Sequence, residues 1–352
     1  MPTRHATLIS VAQLPHLSKL LVVCGAGWLL GCSPEQPSVP PPGCPAPEEP
    51  QTAEPAVEVV EATDPGPLQV AITVDDLPAH GPAVPGLSPL QLHRALLSAF
   101  ESHRVPQVYG FVNAGKLEDA PEQRAALEAW TAAGHPLGNH TYSHLSLRKT
   151  DLATYFRDIA ANEPLLEELA PDGRRVPTFR YPFLLEGMSR EDTVAIREHL
   201  DQRGYRIAPV TIDFYDWAFN PPYARCRAIA DEAALAALRK TFIDHAVEML
   251  QWSDAAAQTL YGRRIPHVLL LHAGAFDAEM IEPLLEAMEE QGVEWVSLDD
   301  ALSDVVYAEQ PLINGRNQGT QLDQKINAEA APHPPWNRHP RALLQALCPE
   351  PG

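Results

Sequence analysis

Residues 68–78 read LQVAITVDDLP. A short apolar run, Leu68 to Val74, ends abruptly in Asp75-Asp76. That is the pattern of a buried strand whose last residues reach a polar surface. Working outward, similar runs recur as QVYGFV (107–112), Leu137 to His140, Thr178 to Leu184, RIAPVTIDF (206–214), HVLLLH (267–272) and VEWVSL (293–298). Between them the apolar spacing switches to a helical period. It does so after Ser88 (Leu92, Leu96, Leu97, Phe100), over Glu122 to Ala133, Leu152 to Leu169 and Glu191 to Arg203, and again over Ala233 to Tyr261 and Ala278 to Gln291. Gly204 and Gly292 stand where helices would stop. Strand and helix alternating about seven times predict an α/β fold, with a parallel sheet or barrel. The length suits a barrel slightly smaller than the eight-fold one. No internal repeat is visible.

The flanks are different in kind. Residues 1–31 carry Arg4 and Lys19 but no acid, and an apolar run from Leu20 to Leu30 ends at Gly31. The run is too short to span a bilayer and reads as an export signal. Leu29-Leu30-Gly31-Cys32 resembles the lipobox of bacterial lipoproteins, which implies lipidation at Cys32. Ser33 after it implies the outer membrane, facing the periplasm, in a Gram-negative host. Residues 32–67 are rich in Pro and acid, with no Lys or Arg. They cannot bury enough apolar area to offset their ordering entropy and are expected to be a solvated tether. The folded domain is expected over 68–308. Residues 309–352 lose periodicity and are expected to be irregular, packing through Trp336 and Leu343 to Leu347.

The net charge is −20 over 352 residues. No basic patch suggests nucleic acid or an anionic lipid surface as partner. No Gly-rich phosphate loop follows a strand, so nucleotide chemistry lacks support. None of the five cysteines has CxxC spacing, which argues against a cysteine zinc site. In an exported chain one disulfide among Cys44, Cys226 and Cys348 is expected, with the pair unassigned.

The informative feature is where polar residues fall. Asp75-Asp76, His140 with His144, Arg180, Asp213 with Asp216, and His272 all stand at or near strand ends. In parallel α/β folds the C-terminal strand ends share one face, where active sites form. Singly, each piece has a plain alternative: a turn, an ion pair, a hydrogen-bonded core histidine. HTYSH (140–144) would put two imidazoles on one side of a helical turn, which suits a metal. Five such pieces at strand ends in one chain are hard to ascribe to accident.

In this order the pieces resemble the five motifs of the carbohydrate esterase family 4 polysaccharide deacetylases, the NodB homology domain. TVDDLP (73–78) is similar to that family's first motif and NHTYSH (139–144) to its second. RYPF (180–183), DFYDW (213–217) and LLLH (269–272) follow as the third to fifth. The resemblance spans about residues 68–302 and implies a distorted (β/α) barrel of about seven parallel strands. It implies a Zn²⁺ site, with Co²⁺ as another fitting ion, held by Asp76, His140 and His144. It further implies Asp75 as general base, Arg180 as its partner, and the backbone N–H of Tyr181 as oxyanion donor. His272 would be the general acid, oriented by Asp216, with Phe183 and Trp217 lining the substrate pocket. The implied reaction is acetyl removal from N-acetyl amino sugars of a polysaccharide such as peptidoglycan or chitin. O-acetyl ester cleavage on the same site and a catalytically silent glycan-binding lipoprotein are the alternatives. The implied partners are the acetylated glycan and, through the lipid anchor only, a membrane. Three departures from the family pattern bear on substrate shape. Leu77-Pro78 replaces a Gly, Phe183 a Tyr, and Ala273 a common polar residue.

Overall fold

A computed structural model of the chain describes residues 66–170, 178–335 and 339–349. The expected signal, Cys32 with its tether, Cys44 and Trp336 lie outside these residues. In chain order the elements are β1 (Leu68–His80), α1 (Pro89–Ser102), β2 (Tyr109–Val112), α2 (Lys116–Asp119), α3 (Arg124–Ala132) and β3 (Leu137–Asn139). Next come α4 (Leu152–Leu169), β4 (Thr178–Phe179), β5 (Leu185–Gly187), α5 (Arg190–Gln202) and β6 (Arg206–Ile207). Then follow α6 (Asn220–Ala228), α7 (Glu232–Tyr261), β7 (His267–Gly274), α8 (Ala275–Glu290), β8 (Val293–Trp295) and α9 (Leu298–Ala301). The last are β9 (Asn317–Gln318), α10 (Gln321–Glu329) and α11 (Arg341–Ala346).

Seven strands form one parallel sheet in the order β6-β4-β3-β2-β1-β7, with β8 also on β1. The sheet curls, and beyond β6 a single parallel bridge joins Ile212 to Leu269 of β7. The expected strand 206–214 is therefore two short contacts at opposite edges. Arg206–Ile207 pair with β4, and Thr211 and Ile212 reach β7 through hydrogen bonds to Val268 O and from Leu270 N. The fold is the parallel α/β arrangement that the alternation predicted, in the form of the distorted barrel that the resemblance implied.

β1 is buried along nearly its whole length and sits at the centre of the sheet. Its run of small and β-branched residues suits a strand covered on both faces. The helices take sequence-coded starts. Ser88 caps α1 in a reciprocal capping box with Gln91, and Asp151, Ser189 and Asp231 cap α4, α5 and α7. A main core packs the helices on the barrel, while a smaller cluster gathers Tyr155, Phe179, Tyr181, Leu185 and Ile196 beside β4. Among the described residues, no helix is long and apolar enough to cross a membrane.

Two expectations need correction. Residues 178–184 are not one strand: β4 covers two residues, and Pro182–Leu184 form a 3₁₀ turn. Pro182 cannot donate to a ladder, and Phe183 and Leu184 adopt positive φ values of 60° and 47°. The stretch after residue 308 is not irregular throughout. β9 pairs antiparallel with β5, α10 begins in a Thr320–Asp323 capping box, and α11 follows Pro340. A disulfide joins Cys226 of α6 to Cys348 and fastens the end of the chain to the barrel. The lost periodicity reflected short elements, each too brief to show an apolar repeat.

Candidate metal centre and active site

A cleft of about 780 Å³ opens at the C-terminal ends of the strands. Asp75 and Asp76 enter it from β1, His140 and His144 from the loop after β3, and His272 from β7. Phe183 and Trp217 line it, 50% and 39% exposed. The remaining wall is the C-terminal segment, through Ile313, Arg316, Gln318, Asp323, Asn327 and Arg341.

One ligand atom each of Asp76, His140 and His144 lies within 4.8 Å of the others. His144 Nε2 is 3.4 Å and His140 Nε2 3.8 Å from Asp76 Oδ1. Tetrahedral bonds of about 2.0–2.1 Å separate ligand atoms by about 3.4 Å, so the spacing suits a small divalent ion. Asp76 Oδ1 is buried and accepts no hydrogen bond. The Nδ1–H of His140 donates to the Arg180 carbonyl at 2.9 Å, which leaves Nε2 as a lone-pair donor facing Asp76. Burial holds both imidazoles below their usual range, His140 strongly so, hence neutral as ligation requires. Burial opposes the charge on Asp76. Lys116, a hydrogen bond from His80, and His144 and His140 outweigh it and keep the carboxylate well below its usual range. One oxygen and two nitrogens, all deprotonated, fit Zn²⁺.

The two histidines do not share a helical turn. Residues 140–144 form a loop in which Thr141 and His144 have φ of 62° and 53°. Side chains beneath impose that path. Asn113 donates to the His140 and Thr141 carbonyls at 2.6 and 3.0 Å, and the Thr141 and Ser143 N–H groups donate to Asn139 and Asp158. Asn162 joins Asn139 to the Val112 carbonyl. Asp76, His144, Phe183, Leu184 and Tyr215 all line the cleft with positive φ. Such backbone is unfavourable for non-glycine residues and concentrates where a side chain must be aimed.

Asp75 is flanked by Arg180, whose Nη1 lies 3.3 and 3.4 Å from the two carboxylate oxygens. Arg180 is fully buried. It also donates to the Ala208 carbonyl and to Thr73 Oγ1, and stands over the Phe111 ring. Burial raises Asp75 to about 6, with Arg180 pulling the other way. Asp75 stands in register opposite His272. There Asp216, fully buried, accepts from His272 N at 2.6 Å and His272 Nδ1 at 2.9 Å. Burial opposes a charged His272, but the charge and hydrogen bond of Asp216 override it and lift the imidazole to about 10. The Tyr181 ring is buried in the smaller core cluster and adds no side chain to the cleft wall.

The family model described as polysaccharide deacetylase matches residues 62–208. The metal-ligating trio Asp76, His140 and His144 lies within this stretch. The match ends before Asp216 and His272, which the barrel brings to the same cleft. No curated protein matches the chain. Among solved structures, peptidoglycan deacetylase PdaC from Bacillus subtilis is 18% identical, with a TM-score of 0.42 covering 68% of this chain and 94% of that one. The chitin deacetylase of the fungal pathogen Colletotrichum lindemuthianum is 19% identical, TM-score 0.46, over 68% and 88% of the two chains. Bacillus subtilis PdaA, a family 4 carbohydrate esterase, is 16% identical, TM-score 0.42, over 67% and 81%. At these identities none of them says which glycan this chain meets.

Sequence reading missed Lys116, whose Nζ lies 3.5 Å from Asp76 Oδ1, and the asparagines under the His140 loop. Asn113 follows β2 and Asn139 ends β3, so a polar residue at a strand end was the available signal.

Proposed function

We propose that the protein removes acetyl groups from N-acetyl amino sugars of an envelope polysaccharide, using a Zn²⁺ held by Asp76, His140 and His144. The observation that carries this reading is the flanking of one Asp-His-His ligand set by the Asp75–Arg180 and His272–Asp216 pairs in one cleft. A bound divalent metal supplies an acidified water and a polarised carbonyl. Asp75, ionised above about pH 6 and held by Arg180, takes the proton from the attacking water. His272, kept protonated by Asp216 to about pH 10, gives a proton to the leaving nitrogen. The backbone N–H of Tyr181 is assigned the oxyanion. Phe183 and Trp217 present flat apolar surface to the sugar.

A firmly protonated His272 favours amides over acetyl esters, because an amine leaves only once protonated whereas an alkoxide leaves more readily. Arg316 and Arg341 on the far wall favour a glycan that carries carboxylates, such as peptidoglycan, over neutral chitin. The Cys226–Cys348 disulfide supports an oxidising location outside the cytoplasm, in keeping with export and lipidation at Cys32. The test is acetate release from peptidoglycan, chitooligosaccharides and acetylated xylan, with and without a chelator. Release from the amino sugars that stops on chelation is expected. Release that ignores the chelator would reject the metal reading, and release from xylan alone would reject the amide reading.

A further inference from the structure

Where the resembled family carries a glycine after its paired aspartates, this chain carries Leu77-Pro78 and then Ala79-His80. β1 and β7 pair as far as Asp75 opposite His272, lose register, and pair again at His80 opposite Gly274. On the β7 side residues 76–79 therefore stand against Ala273 alone, so β1 bulges there and returns, while Leu77 still pairs with Val112 of β2. The bulge is fixed at every carbonyl. Lys116 Nζ donates to Asp76 O and Ala79 O at 2.8 and 3.0 Å. Asn113 N donates to Leu77 O at 3.0 Å, and the buried His93 Nε2–H to Pro78 O at 2.9 Å. Leu77 is fully buried and fills the space above Gly110, where a Cβ would stand 2.4 Å from its Cδ2.

The outcome of this path is the placement of one side chain. The Nδ1–H of His80 donates to Asp76 Oδ2 at 2.7 Å, and its ring stands 4.9 Å from that of His272 on the cleft wall. We propose that His80 is a positioning residue for the metal ligand Asp76. By occupying Oδ2 it fixes the carboxylate rotamer and presents Oδ1 alone to the metal. Without that donor the carboxylate can turn about its last bond or offer both oxygens, and the ligand set loses its preorganisation. A hydrogen bond to a charged acceptor at this distance is of the strong kind. The inference rests on the metal reading above.

The test is zinc affinity, read on the metal-stripped full chain by competition with a chromophoric chelator. His80→Ala is expected to weaken zinc binding about 10–100-fold, the usual loss when a ligand's supporting partner is removed. His80→Asn is expected to restore most of it, because its amide N–H can donate from near the position of Nδ1. An alanine variant that binds zinc as tightly as the wild type would overturn the proposal. So would an asparagine variant no better than alanine, since bulk or a direct nitrogen contact would then be the cause. A wild-type chain that takes up no zinc removes the metal reading and this inference with it. Normal wild-type binding with an unaffected His80→Ala removes the inference alone.

Discussion

The two sides of the cleft are built from the same pair in opposite order. On the β1 side the carboxylate of Asp75 lines the cleft, and the cation Arg180 stands behind it in the core. On the β7 side the cation His272 lines the cleft, and the carboxylate Asp216 stands behind it. Burial acts on both and gives opposite results. Arg180 spreads its guanidinium over Asp75, Thr73 and Ala208, so burial wins at Asp75 and its pKa rises to about 6. Asp216 gives both oxygens to His272, so the partner wins there and the imidazole rises to about 10. Near neutrality one side is ready to accept a proton and the other to give one. Two groups in one cleft with their proton affinities pushed apart are what acid–base hydrolysis requires.

The sharpest way to break this comparison is to remove the acceptor. Asp75→Asn keeps the shape of the side chain but cannot take a proton. Turnover is expected to fall by about 10²–10⁴-fold while bound zinc stays stoichiometric. Full activity in that variant would show that Asp75 is not the base. The unaltered protein should show kcat/KM rising as pH passes about 6 and falling as it nears 10. A bound dication moves the acid limb lower and not higher, because it favours the ionised carboxylate.

Asp216→Asn attacks the other pair and should act mainly on the alkaline limb. The raised His272 pKa depends on the Asp216 charge, so without it the limb is expected to fall from about 10 by two pH units or more. The sign for stability follows the same pair. Its contribution is fully present below the ordinary imidazole range and is lost as pH climbs through the folded value near 10. Amide substrates should suffer more than acetyl esters. A variant with an unmoved alkaline limb would separate His272 from the acid role.

The placement of these residues on one face was legible in the sequence because they fall at strand ends, whereas their pairing was implied by the family resemblance. LQVAITVDD and HVLLLH mark β1 and β7 by apolar runs that stop at a charge, and Leu152–Leu169 emerged as α4 with the same limits. What failed has a common cause. RIAPVTIDF looked like one strand because a largely apolar stretch, Ile207 to Ile212, runs through it, yet it serves both edges of the curled sheet. TFRYPFL looked extended, but the chain turns at Pro182 through two left-handed residues. No spacing rule reports positive φ at Asp76 or His144, because tertiary hydrogen bonds impose it. Lys116 and His80 were invisible as parts of the centre because their roles arise from how β1 leaves and regains its partner strand.

The C-terminal wall offers a milder test, since it borders both pairs and belongs to neither. Changing Cys226 and Cys348 together to Ser removes the tie between α6 and the chain end. Stability is expected to drop by about 2–4 kcal/mol, read by denaturant unfolding. KM should rise while both pH limbs stay in place, since neither cysteine touches the pairs. A shift in either limb would mean that the wall sets the electrostatics of the cleft as well as its shape.

The smallest effect should come from the two wall arginines, and it bears on what the pairs act upon. Arg316 makes no ion pair among the described residues, and the Arg341 guanidinium lies 5.6 Å from the Tyr215 ring centroid. Both are exposed and so screened, and an exposed charge contact contributes about 0–1 kcal/mol. Arg316→Ala and Arg341→Ala should therefore each raise KM about 2–5-fold on peptidoglycan fragments, with kcat and both pH limbs unchanged. On neutral chitooligosaccharides they should change nothing, and added salt should erase the difference between the two substrates. Equal losses on both polymers would mean that the arginines merely shape the wall. In that case the proton-transfer pairs would keep their roles, and the preference for a carboxylate-bearing glycan would be lost.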